Sequence, residues 1–401
     1  MAELTRTQAA DKAGVERPYV DRLIELGILQ PDDQDRLTTG DVRRTQMALT
    51  LEGAGIGLEA VAAGIRSGQL SLDFMDTPAY QRFATLSHET FREVSERTGV
   101  PVDLLMVARE ATGGAVPSPD DRVREDELVL VPAIRAQLDT GMRARSIERY
   151  LRVLGDGMRR LAETQGDAWR TDLMEPMLAR GSVVRDIEEV AGDEGPEDQR
   201  AEDDAIIAVW HAQQSHSWGA NIISGFETIL TDAGLLTKPS RPPAICFLDI
   251  TGYTRLTQER GDEAAADLAA SLNRLVTRTS RDRGGRPVKW LGDGVMVYFR
   301  EPGSGVLAAL EMVEGVGEVG LPPAHVGLHA GPILFQEGDY FGRTVNIASR
   351  IAEYARPGEV LVTQEIVEES QGSGCRFSRI GPVELKGVSG AVELHAAHRG
   401  G

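Results

Sequence analysis

The sequence predicts an α+β protein: an all-α N-terminal region, then a domain after Pro243 in which strands and helices alternate in the α/β manner. Three observations carry this. Before residue 185 apolar side chains recur three and four positions apart, as in Val20, Leu23, Ile24 and Leu26, the spacing of helices with one buried face. Two breaks follow: RDIEEVAGDEGPEDQRAEDD, residues 185–204, is dense in acids, and LTKPSRPP, residues 236–243, holds three prolines. Beyond the second break the pattern changes to short apolar runs such as AICFLDI, which read as buried strands.

These breaks divide the chain into a helix-turn-helix unit over 1–80, a second helical unit over 81–185, an acidic linker over 186–204, a helix and linker over 205–242 and a sheet domain over 243–398. In the first unit Thr7–Ala13 and Pro18–Leu26 read as two helices around a turn at Gly14-Val15, where glycine permits the tight reversal. FREVSERTGVPVDLLMVAREATG, residues 91–113, has the same shape as residues 6–28, with Gly99-Val100 matching Gly14-Val15, which predicts a tandem repeat. The segment Ala205–Leu236 is apolar and helix-compatible. In the last domain, helical spacing covers Asp262–Arg278 and a helix is expected near Ser304–Val313. Strands are expected at Pro287–Leu291, Val295–Phe299, near His325–Gly331 and at Gly358–Thr363.

With 401 residues the chain is long enough for two or three domains. Its net charge of −19 lowers the expectation of a nucleic-acid partner, and an anionic substrate would need cations to approach. The longest apolar run, Leu128–Ile134, is interrupted by Pro132 and far short of the ~20 residues that span a bilayer. The start MAELTRTQAAD lacks a basic segment followed by an apolar one, so no export signal is expected. Two cysteines, Cys246 and Cys375, read as reduced thiols of a cytoplasmic protein.

Three segments carry chemistry. FLDITGYT, residues 247–254, puts Asp249 at the end of a strand. KWLGDGVMVYF, residues 289–299, puts Asp293 at a hairpin tip. If the two strands are neighbours, both carboxylates converge at one sheet end, the arrangement that binds divalent cations for phosphoryl chemistry. In GDYFGRTVNIASR, residues 338–350, Asn346 and Arg350 lie four apart and share a helix face. Each signal alone has a plainer reading: a helix cap, an ordinary hairpin, a solvated face.

In this order and spacing the three segments resemble the catalytic domains of class III adenylyl and guanylyl cyclases over residues 243–398. The resemblance implies a ferredoxin-like βαββαβ layout. It implies that Asp249 and Asp293, with Ile250 beside them, bind two Mg²⁺ or Mn²⁺ ions, and that Lys289 and Asp339 recognise the base. Asn346 would orient the ribose and Arg350 stabilise the transition state. It further implies a homodimer whose sites combine Asp249 and Asp293 of one chain with the other four residues of its partner. Lysine only donates and aspartate only accepts, which fits the N1 and N6 groups of adenine; guanylyl cyclases usually carry Glu and Cys or Ser there. The expected activity is therefore adenylate cyclase, with ATP as substrate and cyclic AMP as product. Lys386 reads as a surface lysine.

Through the GDYFGRTVNIASR form of its third segment, the catalytic domain resembles most closely those of soluble actinobacterial cyclases that carry a helical autoinhibitory N-terminal region, some of them pH-responsive. A regulatory role is expected, with Ala205–Leu236 as the transmitting helix and His211 and His216 as its titratable groups. LTRTQAADKAGVERPYVDRLIELGILQP also resembles the helix-turn-helix of MerR-type regulators. This keeps an alternative open: a DNA-binding regulator with a cyclase-like nucleotide sensor.

Overall fold

Amphipathic helices, three of them opened by a threonine side-chain cap (Thr5, Thr38 and Thr90), make up most of the first half of the chain. The computed structural model describes residues 4–76, 85–182, 196–236 and 241–400, in two units, Met1–Glu227 and Thr228–Gly401. In the first unit one plan occurs twice. Its first copy comprises α1 (Arg6–Ala13), α2 (Arg17–Glu25), α3 (Thr39–Gly53) and α4 (Leu58–Arg66). Its second comprises β1 (Leu86–Thr90), α5 (Phe91–Thr98), α6 (Val102–Ala111), β2 (Arg122–Arg124), α7 (Glu125–Asp139) and α8 (Ala144–Trp169). The opening helix of each copy starts in a capping box, Thr5 with Gln8 and Thr90 with Glu93, and ends on a left-handed glycine, Gly14 or Gly99. Where the second copy pairs β1 with β2, the first has one bridge between Leu4 and Leu37. Each copy closes its own apolar core, around Val20, Leu23 and Leu37 in one and Phe91, Val94 and Ile134 in the other.

Most buried charges in these copies are paired, whereas Arg43 donates to the Met75 carbonyl at 2.8 Å. Arg44 bonds Asp41 at 2.9 Å, and the Arg109 guanidinium holds Glu127 at 2.7 Å. On α2, Arg22 reaches Glu52 and Glu59, both at 3.1 Å, and Arg17 reaches Asp21 at 3.4 Å.

Two expectations change here. The region is not purely helical, since β1 and β2 pair within it. Of the acidic stretch expected as a linker, 186–195 lies outside the described residues, whereas Pro196 onward already forms α10 (Pro196–Asp232), which therefore starts ahead of Ala205. Proline in the first turn and acidic residues beside it suit a helix N-terminus. Between α8 and α10 lie one π-turn, Arg170–Met174, and α9 (Glu175–Ala179). Residues 237–240 of the proline-rich segment also fall outside the described set.

The second unit contains β3 (Ala244–Ile250), α11 (Tyr253–Arg260), α12 (Asp262–Asp282), β4 (Gly285–Leu291), β5 (Gly294–Phe299), α13 (Pro302–Gly315) and β6 (Ala324–Ala330). It continues with β7 (Leu334–Gln336), β8 (Asp339–Phe341), α14 (Arg343–Tyr354), β9 (Val360–Thr363), α15 (Gln364–Glu369), β10 (Cys375–Glu384) and β11 (Ala391–Arg399). The main sheet has seven strands in the order β10-β11-β9-β6-β3-β5-β4. From β3 to β6 the chain runs βαββαβ, and those four strands lie in the order β6-β3-β5-β4, the ferredoxin-like layout. Only β6 and β9 pair in parallel; the other neighbours are antiparallel.

Alternation along β3 sorts its side chains between the two faces. Ala244, Cys246, Leu248 and Ile250 join the core with Leu272 of α12 and Val306 of α13. Ile245 and Phe247 join Val345, Ala348 and Ala352 of α14 on the other face. Asp249 continues this second set, so the strand delivers it to the face that carries α14. There β6 and α14 touch backbone to backbone: a Cβ on Gly327 would stand 2.2 Å from the Ala352 nitrogen. Gly327→Ala is therefore expected to destabilise the domain by about 3 kcal/mol through forced separation of the two elements. Gly317→Ala, with open space around it, should leave thermal melting of the same protein unchanged.

Candidate active site

The carboxylate pair forms where β3 and β5 meet. Asp249 lies in register with Gly294, and Asp293 occupies the two-residue turn, Gly292-Asp293, that joins β4 to β5. Both side chains are half-buried. Burial, and then the nearby Asp293 charge, raise the Asp249 carboxyl above the ordinary aspartate range; His325 and the Ile250 N–H partly oppose this. His325 bonds the Ala352 carbonyl through Nδ1 at 2.9 Å, and its Nε2 lies 3.6 Å from Asp249 Oδ2. Ile250 has its side chain buried in the core, so only its carbonyl can serve as a ligand.

Two repelling oxygen donors at a sheet end suit a hard divalent cation. Among the described residues no group of three or more His, Cys, Asp or Glu side chains is placed to hold a metal. Two carboxylates leave coordination positions for a ligand's own oxygens, so the donor set fits an ion shared with an anionic substrate.

The other predicted residues lie on β4, β8 and α14. Lys289 on β4 pairs with Asp339 Oδ2, and Asp339 Oδ1 accepts the Tyr340 N–H at 2.7 Å. Asn346 and Arg350 occur on α14, as their spacing predicts. Val345, Ile347, Ala348 and Ile351 bury the helix's inner face, while Asn346 is exposed. Arg350 holds Glu353 at 2.6 Å, a pair one turn apart on the surface. Among the described residues no hydrogen bond or ion pair joins Asp249 or Asp293 to Lys289, Asp339, Asn346 or Arg350. Lys386 is exposed, and so are His211 and His216 on α10. No helix among the described residues is long and apolar enough to cross a membrane.

Comparison with known proteins identifies a nucleotidyl cyclase catalytic domain in this part of the chain. Residues 237–398 match the family model for the adenylate and guanylate cyclase catalytic domain, and residues 79–200 match that for the adenylate cyclase regulatory domain. The chain thus carries a region that matches the adenylate and guanylate cyclase catalytic domain, preceded by one that matches the adenylate cyclase regulatory domain. It is 29% identical over 321 residues to the pH-sensitive adenylate cyclase MT1302 of Mycobacterium tuberculosis, covering 77% of this chain and 78% of that one. It is 28% identical over 282 residues to an adenylate cyclase of Streptomyces coelicolor, covering 69% and 70%. Among solved structures it is similar to the adenylyl cyclase CyaB from P. aeruginosa, at 22% identity and a TM-score of 0.37, over 40% of this chain and 95% of that one.

The raised Asp249 carboxyl sets a pH sign. The folded state binds that proton more tightly than the unfolded chain does. The resulting stabilisation is present at low pH and is lost as pH rises through the folded value. At pH 7 the ionised pair is therefore at its least favourable, and a divalent cation relieves it most. Mn²⁺ is expected to raise the melting temperature of the full chain at pH 7, by an amount that shrinks as the solution is acidified. Asp293→Asn should abolish the Mn²⁺ response and raise the metal-free melting temperature by no more than about 3 °C. Scanning fluorimetry with and without Mn²⁺ measures both.

Proposed function

We propose that the protein is an adenylate cyclase, converting ATP to 3′,5′-cyclic AMP and pyrophosphate at sites shared between two copies of the chain. The observation that carries this reading is the Lys289–Asp339 pair. It sets a cationic donor beside an anionic acceptor on the same sheet face as α14, the pattern that complements adenine N1 and N6. On this reading the pair binds the base, and Asn346 holds the ribose so that its 3′-oxygen is in line with the α-phosphorus. The Arg350 guanidinium leaves Glu353 for the α-phosphoryl oxygens, whose charge it offsets as pyrophosphate departs.

Asp249 and Asp293, with the Ile250 carbonyl, would hold two Mg²⁺ or Mn²⁺ ions. These supply Lewis acidity toward the attacking hydroxyl and the phosphates.

The lack of any bond between the two clusters in one chain supports a site completed by a second copy. Exposed apolar residues around the second cluster support it too: Trp290 and Leu291 on β4, Leu334 and Phe335 on β7, and Phe341 on β8. Such a patch favours burial against a like surface. The helical region ahead of the domain is read as its regulator, since small shifts between two half-sites cost large rate factors. The alternative of a DNA-binding regulator is disfavoured: the α2 arginines already serve Asp21, Glu52 and Glu59.

Asp249→Ala and Arg350→Ala are each expected to be inactive. Mixed and allowed to exchange, they should recover about a quarter of wild-type turnover, because half of random pairs are mixed and each mixed pair has one whole site. Mixed dimers that form and stay inactive would contradict a shared site. Lys289→Glu with Asp339→Cys should lower the ratio of ATP to GTP turnover; an unchanged ratio in an active variant would place base choice elsewhere.

A further inference from the structure

Asp339 belongs to a small and separate piece of structure. Strands β7 and β8 form their own two-stranded sheet, with Gln336 opposite Asp339 and a Glu337-Gly338 turn at φ 53° and 78°. Two strands of three residues are not stable alone, and this hairpin is not hydrogen-bonded into the seven-stranded sheet. Its orientation, and so the spacing of Asp339 from Lys289 on β4, depends on side chains.

Those side chains converge on Arg286. Tyr340, next to Asp339, is 7% exposed and stacks on Tyr298 of β5 with centroids 4.9 Å apart and planes 11° from parallel. Phe335 of β7 tilts against Tyr340 at 5.1 Å. The Arg286 guanidinium lies over all three rings, 5.7 Å from Tyr298, 5.8 Å from Phe335 and 5.5 Å from Tyr340, and its Nη2 donates to the Tyr340 hydroxyl at 2.8 Å. Among the described residues Arg286 has no carboxylate partner. Its charge is met by aromatic faces and one phenol oxygen.

Arg286 and Lys289 are three residues apart on one strand, a spacing that would set them on opposite faces of a regular strand. The register of β4 against β5 shifts between Pro287 and Lys289, so that Arg286 faces Tyr298 and Lys289 faces Met296. Tyr298 and Met296 are two apart on β5, so the shift turns Arg286 and Lys289 to one face. The contacts then close a circuit: Arg286 to Tyr340, Tyr340 to its neighbour Asp339, Asp339 to Lys289, and back along β4.

From this circuit we infer that Arg286 is a positioning residue for base selection: it clamps the β7–β8 hairpin to β4 and fixes Asp339 at the distance from Lys289 that adenine requires. The inference rests on the base-reading role given to Lys289 and Asp339 above. Base contacts are made equally in the bound substrate and the transition state, so loosening them raises KM and leaves kcat nearly unchanged.

The test compares the full chain with Arg286→Met, Arg286→Lys and Tyr340→Phe, each checked for association by sedimentation and assayed with ATP and with GTP. Loss of one guanidinium over three aromatic rings, with one hydrogen bond to the buried Tyr340, is expected to raise the KM for ATP about tenfold in Arg286→Met. The ratio of kcat/KM for ATP over GTP should fall by a similar factor. Tyr340→Phe keeps the stack and removes the phenol oxygen, so it should shift the same two quantities by about threefold. It also serves if Arg286→Met fails to fold. Arg286→Lys, which retains a cation over the rings, should recover most of the selectivity. A fall in kcat for both nucleotides with an unchanged ratio would overturn the inference and leave Arg286 a stability residue. If wild type prefers ATP and Lys289→Glu with Asp339→Cys changes that preference while the Arg286 and Tyr340 variants do not, the inference alone fails. If the wild type has no preference, the base-reading assignment fails and the inference with it.

Discussion

At Gly327 the backbone of β6 lies against the backbone of α14, with the Ala352 nitrogen and the Ala348 carbonyl oxygen 2.2 Å and 2.6 Å from where a side chain would begin. The rest of the catalytic half depends on this contact. It sets the height of α14 above the sheet, and α14 carries Asn346 and Arg350. The inner face of the helix is small, with Ala348 and Ala352 buried beside Val345, which lets it sit that low. His325, two residues before Gly327, bonds the Ala352 carbonyl and faces Asp249. One short stretch of β6 thus registers the helix of the second cluster and touches the aspartate of the first.

The arrangement also answers the charge problem. The chain carries −19 overall, yet its proposed substrate is a polyanion. On the proposed roles Arg350, held by Glu353, is the side-chain cation that meets the phosphates, while Lys289 is held by Asp339 and Arg286 by three aromatic rings on the base side. Each is ordered before any substrate arrives, which lowers the entropy lost on binding. Arg350 is held by an exposed pair, which water and a phosphate can displace.

Much of this was legible in the sequence because it follows from local rules. Ala244–Leu248 is apolar without interruption because β3 is covered on both faces, and the Gly-Asp turn is as short as a hairpin allows. The four-residue step from Asn346 to Arg350 needs only the helical period. What was not legible depends on tertiary contacts. The hairpin Leu334–Phe341 gives no strand signal because its strands are three residues long and its order comes from Tyr298 and Arg286, distant in sequence. The role of Arg286 hides behind the register shift on β4, which no periodicity reveals. β10 interrupts its apolar pattern with Gly381, Pro382 and charges because it is an edge strand and largely exposed. The acidic residues after Pro196 read as a linker because composition outweighed the helix-start signal that the proline and its acidic neighbours give.

The most direct measurement follows the α-phosphorus of ATP. Purified full-length protein is supplied with Mn²⁺ and ATP labelled at that position, and the products are separated by chromatography. The account predicts labelled 3′,5′-cyclic AMP in amounts equal to the pyrophosphate released, and none from Asp249→Ala. Label that stays in ATP, or that appears in AMP or ADP in place of the cyclic nucleotide, would contradict it.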